Sequence, residues 1–319
     1  MDNPIIVSDI GGTNGRFALA EFKQGNNLPT ITNIQVFACA SYKYFSDMLG
    51  AYRDNLDCAL PKIAKFAVAG EMTPRRGNLW HFNWDINAGE LEEKFGFDSV
   101  TLLNDYEALV HAIPHFTDRE LETITPFTQG QEGAPFSAFG VGSGLGGSIG
   151  VPSPAGLNVV PSEVGHISFA PKSEQEYELL KFTGNIVPHV SIETFMSGPG
   201  ITRIHNFLCH SKGQNISDLT PADITANALN KNDVTCIETI EIFLNMLGSI
   251  SGDIALIQGA KSGVYIGGGV VPRIASLFNK QTFIERFTDK GPMREYVKRI
   301  PIHIITADKP ALIGAALSK

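Results

Sequence analysis

The chain has 319 residues, of which 43% are hydrophobic and 18% charged, with 32 glycines. That length exceeds what a single core usually fills, and the composition is that of a folded globular protein, so two lobes with a cleft are expected and disorder is excluded. A formal charge of −8, with no Lys/Arg-rich run, excludes a nucleic-acid footprint, so an anionic ligand must be held locally.

In chain order, Ile5 to Ile10 reads as a buried strand, Gly11 to Gly15 as a turn, and Phe17 to Glu21 as a return strand, which together make a hairpin with a glycine-rich tip. No basic leader precedes it and no apolar run of membrane-spanning type is read, so a cytoplasmic protein without a membrane partner is expected. Phe45, Met48, Leu49, Tyr52 and Leu56 recur at helical spacing, while Lys65 to Ala69 and Ser99 to Leu103 read as strands. A helix starts near Asp105 and carries Leu109, Val110 and Ile113 before Pro114, which ends or kinks it and marks a crossing between lobes.

Beyond that point Phe136 to Val141, the glycine turn Gly142 to Gly147, and Ser148 to Val151 repeat the opening hairpin, which suggests two lobes of related topology facing each other. Ser173-x-x-Glu176 is a capping-box pattern, and Thr220-Pro221-x-Asp223 supplies a cap, a first-turn proline and an acid. Val234 to Ile257 reads as one core helix, open to a bend at Gly248 and Gly252. Val264 to Ile266 runs into a third glycine turn, Gly267 to Gly269; Ile302 to Ile305 is strand-like, and Pro310 to Leu317 is a short apolar helix returning to the first lobe. Cys39, Cys58, Cys209 and Cys236 form no C-x-x-C pair, which favours buried reduced thiols and argues against a disulfide framework or a structural zinc.

Three groups of residues carry chemistry. Asp9 stands at a strand end just before Gly11, Gly12, Thr13 and Asn14, where bare backbone lets N–H groups approach an anion. A carboxylate beside a triphosphate makes sense if Mg²⁺ or its water shell lies between them; the alternative is a glycine hairpin with a capping Asp. Gly142, Gly144 and Gly147 satisfy G-x-G-x-x-G, with Glu163 near the distance of a ribose-binding acid, but the following residues read as a strand where that dinucleotide motif must open a helix. No G-x-x-x-x-G-K-[ST] is present.

Asn104-Asp105 follows an apolar strand and opens a helix, a position for chemistry: Asp105 as acceptor of a hydroxyl proton and Asn104 as a hydrogen-bonding partner, or else a helix-capping pair. Glu163 and His166 place a carboxylate and an imidazole three residues apart, suited to vicinal sugar hydroxyls or to a satisfied loop pair. Glu193, judged locally, reads as a solvated first-turn acid.

Taken together, Asp9 to Arg16, Leu103 to Ala108, Gly140 to Gly146, Glu163 to Pro171, Ser197 to Gly200 and Ile266 to Arg273 resemble, in this order, the bacterial glucokinases. The resemblance implies an α/β, two-lobed actin-like ATPase (ribonuclease H-like) fold. A small α/β lobe of residues 1–112 plus 302–319 and a larger α+β lobe of 113–301 would flank a cleft. It also implies ATP with Mg²⁺, glucose or a related hexose as partner, and a homodimer. By resemblance Asn104, Asp105, Glu163, His166 and Glu193 bind glucose, with Asp105 deprotonating its 6-hydroxyl. Gly11, Gly12, Thr13, Asn14 and the turn with Gly142, Ser143, Gly144 and Gly146 hold phosphates, and Gly268 and Gly269 lie near the adenosine. No cysteine-rich zinc motif follows His166, which points to the zinc-free branch. Where the family shows Gly-Pro and then Thr-Asn before a tryptophan, this chain has Gly70-Glu71 and Trp80-His81-Phe82-Asn83 before Trp84, with Arg75 and Arg76 in between. A kinase for another hexose or amino sugar, or a sugar-sensing module without catalysis, is the alternative.

Overall fold

The computed structural model describes residues 4–23, 25, 28–79, 82–127, 129–216 and 218–318. The chain divides into two compact units, Met1–Thr117 with Ala307–Lys319, and Asp118–Thr306.

The first unit is built on strands β1 (Ile5–Ile10), β2 (Asn14–Glu21), β3 (Thr30–Ala38), β4 (Ile63–Val68) and β8 (Ser99–Asn104), in the order β3-β2-β1-β4-β8. β1 is buried along nearly its whole length because it is central, antiparallel to β2 and parallel to β4, with helices on both sides. On one side α1 (Phe45–Asp54) and α2 (Ala88–Phe95) help close a core in which Phe17, Phe45, Tyr52, Phe66 and Trp84 gather. On the other side α3 (Asp105–Ala112) and the C-terminal α11 (Pro310–Leu317) pack Ala108, Leu312 and Ala315 onto Ile5, Val7, Ala67 and Leu103. Gly314 makes that packing possible, since a Cβ there would meet the Ala108 carbonyl at 1.7 Å. Between β4 and α2 the chain forms a three-stranded meander, β5 (Glu71–Met72), β6 (Arg76–Leu79) and β7 (Trp84–Asn87).

The second unit has six strands in the order β12-β11-β10-β13-β14-β9: β9 (Leu121–Thr123), β10 (Phe136–Val141), β11 (Leu145–Ser153), β12 (Gly156–Ser162), β13 (Gly263–Gly267) and β14 (Ile302–Ile305). Its helices are α4 (Glu174–Gly184), α5 (Ile192–Phe195), α6 (Gly198–Ser211), α7 (Pro221–Leu229), α8 (Val234–Ile257), α9 (Lys280–Thr288) and α10 (Arg294–Val297). Helix α8 is long and apolar enough to cross a membrane, but 72% of its apolar window is buried within the structure, where Ile240, Phe243, Leu247, Ile250 and Ile254 join the core. It runs without interruption. Gly248 and Gly252, read from sequence as bend points, instead admit the backbone of α9: a Cβ on them would lie 2.9 Å from the Phe283 carbonyl and 2.3 Å from that of Phe287.

The repeat seen in the sequence is real at the level of topology. In each unit an antiparallel hairpin (β1-β2, β10-β11) leads to a third strand on its outer side, while two further strands run parallel on the inner side.

Several expected boundaries move. Ile302–Ile305 does not join the first unit, because it pairs parallel with β13 and antiparallel with β9; only α11 returns. The first unit also extends past residue 112: the 3₁₀ turn Ile113–His115 follows α3 directly, and the boundary falls after Thr117. Asn14 and Gly146 are strand residues, the former beginning β2 and the latter paired with Gly140, so the two turns are shorter than expected. Gly15 lies in β2, paired with Ile10, and a Cβ there would stand 2.8 Å from the terminal methyl of Met48. Ser173 caps α4 by accepting from the Glu176 N–H, but Glu176 does not close the box: its carboxylate takes the Lys172 N–H at 2.7 Å and pairs with Arg286. At α7 the reciprocal box between Thr220 and Asp223 forms as read.

Candidate active site

In the first unit the nominated residues sit at the carboxyl ends of neighbouring strands, where α/β sheets present ligand sites. Ile10 is level with Val68, and Val68 with Asn104, so the turn after β1 and the Asn104-Asp105 step after β8 share one sheet edge, about 10 Å apart by strand spacing. The turn is closed by the Gly11 N–H donating to the Asn14 carbonyl (3.0 Å) and anchored by the Cys39 N–H on the Thr13 carbonyl (3.0 Å). Asp9 faces Arg16 across the hairpin, with Nη1 donating to Oδ2 at 3.0 Å. Burial pushes the Asp9 carboxyl above the ordinary aspartate range, and Arg16 opposes that shift. Arg16 therefore belongs to this turn, although charge pairing across a hairpin register is invisible until the register is known.

Asn104 is both strand end and helix cap. Its Oδ1 accepts from the Tyr106 N–H (2.9 Å), its own N–H donates to Glu107 Oε2 (3.3 Å), and its Nδ2 donates to the Gly70 carbonyl (3.2 Å). The capping reading of this pair is thus realised, and it fixes the half-buried Asp105 as the first residue of α3. Asp105 Oδ1 also accepts from the Tyr106 N–H at 3.1 Å. Gly70 has φ +154, and a Cβ there would meet the Asn78 carbonyl at 2.2 Å, so the departing segment is keyed to Asn104 through a backbone only glycine can supply.

Within that segment, Arg75 grips Glu92 with both guanidinium nitrogens at 2.7 Å and reaches the Val100 carbonyl at 3.1 Å. The Arg75 fork holds the Glu92 carboxyl down to about 2. Arg76 makes an exposed pair with Asp85 at 3.2 Å. Both arginines thus serve the local fold. Trp80 and His81 lie outside the described residues.

In the second unit the nominated residues gather around the turn Gly142–Gly144. The Gly142 N–H donates to the Gly144 carbonyl (2.8 Å), and the Gly142 carbonyl accepts from the Gly198 N–H (2.8 Å) at the start of α6. Gly268, at φ +88, packs so closely that a Cβ would lie 2.3 Å from the Val141 carbonyl oxygen, and the Val270 N–H donates to that same carbonyl. Gly165 abuts the Leu145 carbonyl in the same way, at 2.3 Å. Around Gly142 and Gly269 an added Cβ would meet no atom within 4 Å, so these two line open space.

Glu193 differs from its local reading. It is half-buried, its Oε2 accepts the Leu145 N–H at 2.8 Å, and a Cβ on Gly144 would stand 2.4 Å from that oxygen. The bridge between Ser168 and Ser191 brings the segment after His166 beside the segment before Glu193, which no spacing in the sequence could reveal. Glu163 and His166 are exposed, with His166 Nε2 3.9 Å from Glu163 Oε2. The glycines of G-x-G-x-x-G lead into β11 and not a helix, so the dinucleotide motif lacks its context.

Two units, each built on a hairpin with two inner parallel strands, and glycine turns at the strand ends of both, define the actin-like ATPase class to which many sugar kinases belong. The chain belongs to the glucokinase family: the family model described as Glucokinase matches residues 6–319. It is 37% identical to the glucokinase of Saccharophagus degradans over 98% of this chain and 97% of that one. Among solved structures it is similar to a glucokinase from an Antarctic psychrotroph (TM-score 0.84, 32% identity, 99% and 98% of the two chains covered). It shares its fold with a ROK family glucokinase from Streptomyces griseus solved with glucose and AMPPNP (TM-score 0.67, 17% identity, 98% of each chain covered).

Proposed function

We propose that this protein transfers the γ-phosphoryl group of ATP to the 6-hydroxyl of glucose, with Asp105 as the general base. The observation that carries the assignment is the shared sheet edge on which Asp105 and the glycine turn after β1 stand two strands apart. Asp105 takes the hydroxyl proton, the sugar oxygen attacks the γ-phosphorus, and ADP leaves with the electron pair of the broken P–O bond. Asn104, Glu163, His166 and Glu193 orient the sugar by hydrogen bonds to its hydroxyls. Gly11, Gly12, Thr13 and Asn14, with Gly142, Ser143, Gly144 and Gly146, hold phosphates, and Gly268 and Gly269 border the adenosine.

Asp9 fits Mg²⁺, a hard ion that takes one or two protein carboxylates and fills its remaining positions with phosphate oxygens and water; one Asp9 oxygen faces Arg16. The ion, held through Asp9 and its water, would neutralise charge on the β- and γ-phosphates. The homodimer and the cytoplasmic location rest on family membership alone, and light scattering of the purified protein checks the first.

A second reading, a kinase for another hexose, is favoured by the unusual stretch Gly70 to Trp84, which is tied to Asn104 through the Gly70 carbonyl. A coupled ADP-release assay over glucose, mannose, fructose and glucosamine separates the two. Asp105→Asn should lower kcat by ~10²–10⁴-fold and leave the glucose KM nearly unchanged. Near-normal turnover in that variant removes Asp105 from the role, and the absence of glucose-dependent ADP release by the unaltered enzyme removes the function.

A further inference from the structure

The geometry points to a second, soft-metal site of the kind that takes Zn²⁺, formed by His205 and Cys209 of α6 with Asp233 and Cys236 at the start of α8. None of these residues is assigned to sugar or nucleotide. One ligand atom each from His205, Asp233 and Cys236 lie within 4.8 Å of one another. Cys209, one helical turn beyond His205, sets its Sγ 3.7 Å from His205 Nδ1. A tetrahedral zinc with Zn–S of ~2.3 Å and Zn–N of ~2.0–2.1 Å spaces neighbouring sulfur and nitrogen ligands by about 3.5 Å. The His205–Cys209 edge is therefore already close to the required span, and the edges among His205, Asp233 and Cys236 need at most about 1.3 Å of contraction, within reach of side-chain rotation.

The donor set is chemically selective. Two thiols and an imidazole with one carboxylate suit Zn²⁺ and disfavour Mg²⁺ or Ca²⁺. His205, Cys209 and Cys236 are buried while Asp233 is exposed, so the carboxylate gives an ion its way in. Asp233 is the cap of α8, with Oδ1 accepting the Cys236 N–H at 2.9 Å, which holds these two ligands in register. The Asn206 side chain interacts with His205, which suits it to orient an imidazole whose other nitrogen binds metal. Binding replaces the S–H bonds of Cys209 and Cys236 with bonds to the ion and releases both protons to solvent. The linear pattern hides the site because one half is H-x-x-x-C inside a helix and the other is D-x-x-C across a helix cap. An ion there would pin α6, whose first residue holds the Gly142 turn, to α8.

The test uses the full chain carrying Cys58→Ser, which removes the exposed thiol. After chelator treatment under reducing conditions it is titrated with Co²⁺, and the near-ultraviolet thiolate-to-cobalt absorption is followed; Zn²⁺ is then added in competition. The expected result is saturation at one equivalent, with displacement by Zn²⁺. Asp233→Asn, which preserves a good helix cap, should weaken Zn²⁺ binding at least about 10-fold, and Cys209→Ser should diminish the absorption. No such band in the Cys58→Ser protein, or a band unaltered in both Asp233→Asn and Cys209→Ser, overturns the site.

Discussion

Replacing Gly144 with alanine isolates the contact between the second unit's glycine turn and Glu193. The backbone of Gly144 is not left-handed, so alanine is conformationally tolerated there, but its methyl group would stand 2.4 Å from Glu193 Oε2. The carboxylate is the free end of a flexible side chain and must swing aside, which abandons the Leu145 N–H at 2.8 Å. A hydrogen bond to a charged group contributes ~1.5–3 kcal/mol. At ~2–4 °C per kcal/mol for a unit of this size, scanning calorimetry should register a loss of about 3–12 °C in melting temperature. Because Glu193→Ala removes the same bond, the double variant should cost no more than the worse single one, within about 0.5 kcal/mol. The sugar KM should rise in all three proteins. Unchanged melting of Gly144→Ala, or strictly additive costs in the cycle, would refute the coupling.

Gly268→Ala should be harsher than Gly269→Ala, because the first position has φ +88 and a Cβ 2.3 Å from Val141 backbone, whereas the second meets open space. We expect about 1–3 kcal/mol of destabilisation for the former and within ~0.5 kcal/mol of none for the latter, by the same calorimetry. The Arg75–Glu92 fork predicts an acid limb: with Glu92 held down to about 2, its contribution is complete above the ordinary value of 4.5 and is lost as pH falls towards 2. Glu92→Gln should flatten the dependence of melting temperature on pH in that window, and an unaltered slope would show that the fork carries no stability.

Much of the architecture could be read from local pattern. β1, β10 and β13 are short, largely apolar runs that lead into glycine turns, and α8 declares itself by its length and apolar face. Other elements do not. β12 is an edge strand whose residues alternate between exposed and half-buried and include Pro161, so it resembles a loop until its pairing with β11 is seen. The helix α6 begins Gly-Pro-Gly, a poor start by propensity, and is rescued by the Ser197 cap on the Gly200 N–H. The strand at 302–305 was legible as a strand but its sheet was not, because partner choice depends on β9 and β13 far away in the chain. Of the candidate site, the residue types were readable from motifs. The role of Glu193 against Leu145 was not, since a first-turn acid looks the same in sequence whether it meets water or a backbone amide.

The last helix has a consequence for how the molecule is made. A ribosome releases residues 310–317 after every strand of the described sheets, so Ile5, Val7, Ala67 and Leu103 lack the covering of α11 until that helix has emerged. Residues of β1 thus wait for a partner made about 300 residues later, while the intervening segment can already close around α8. Lys65, which donates to the Ser318 and Ala316 carbonyls, latches α11 in place. A proteolytic cut between β14 and α11 would loosen the strand that leads into Gly11, far away in sequence from the cut.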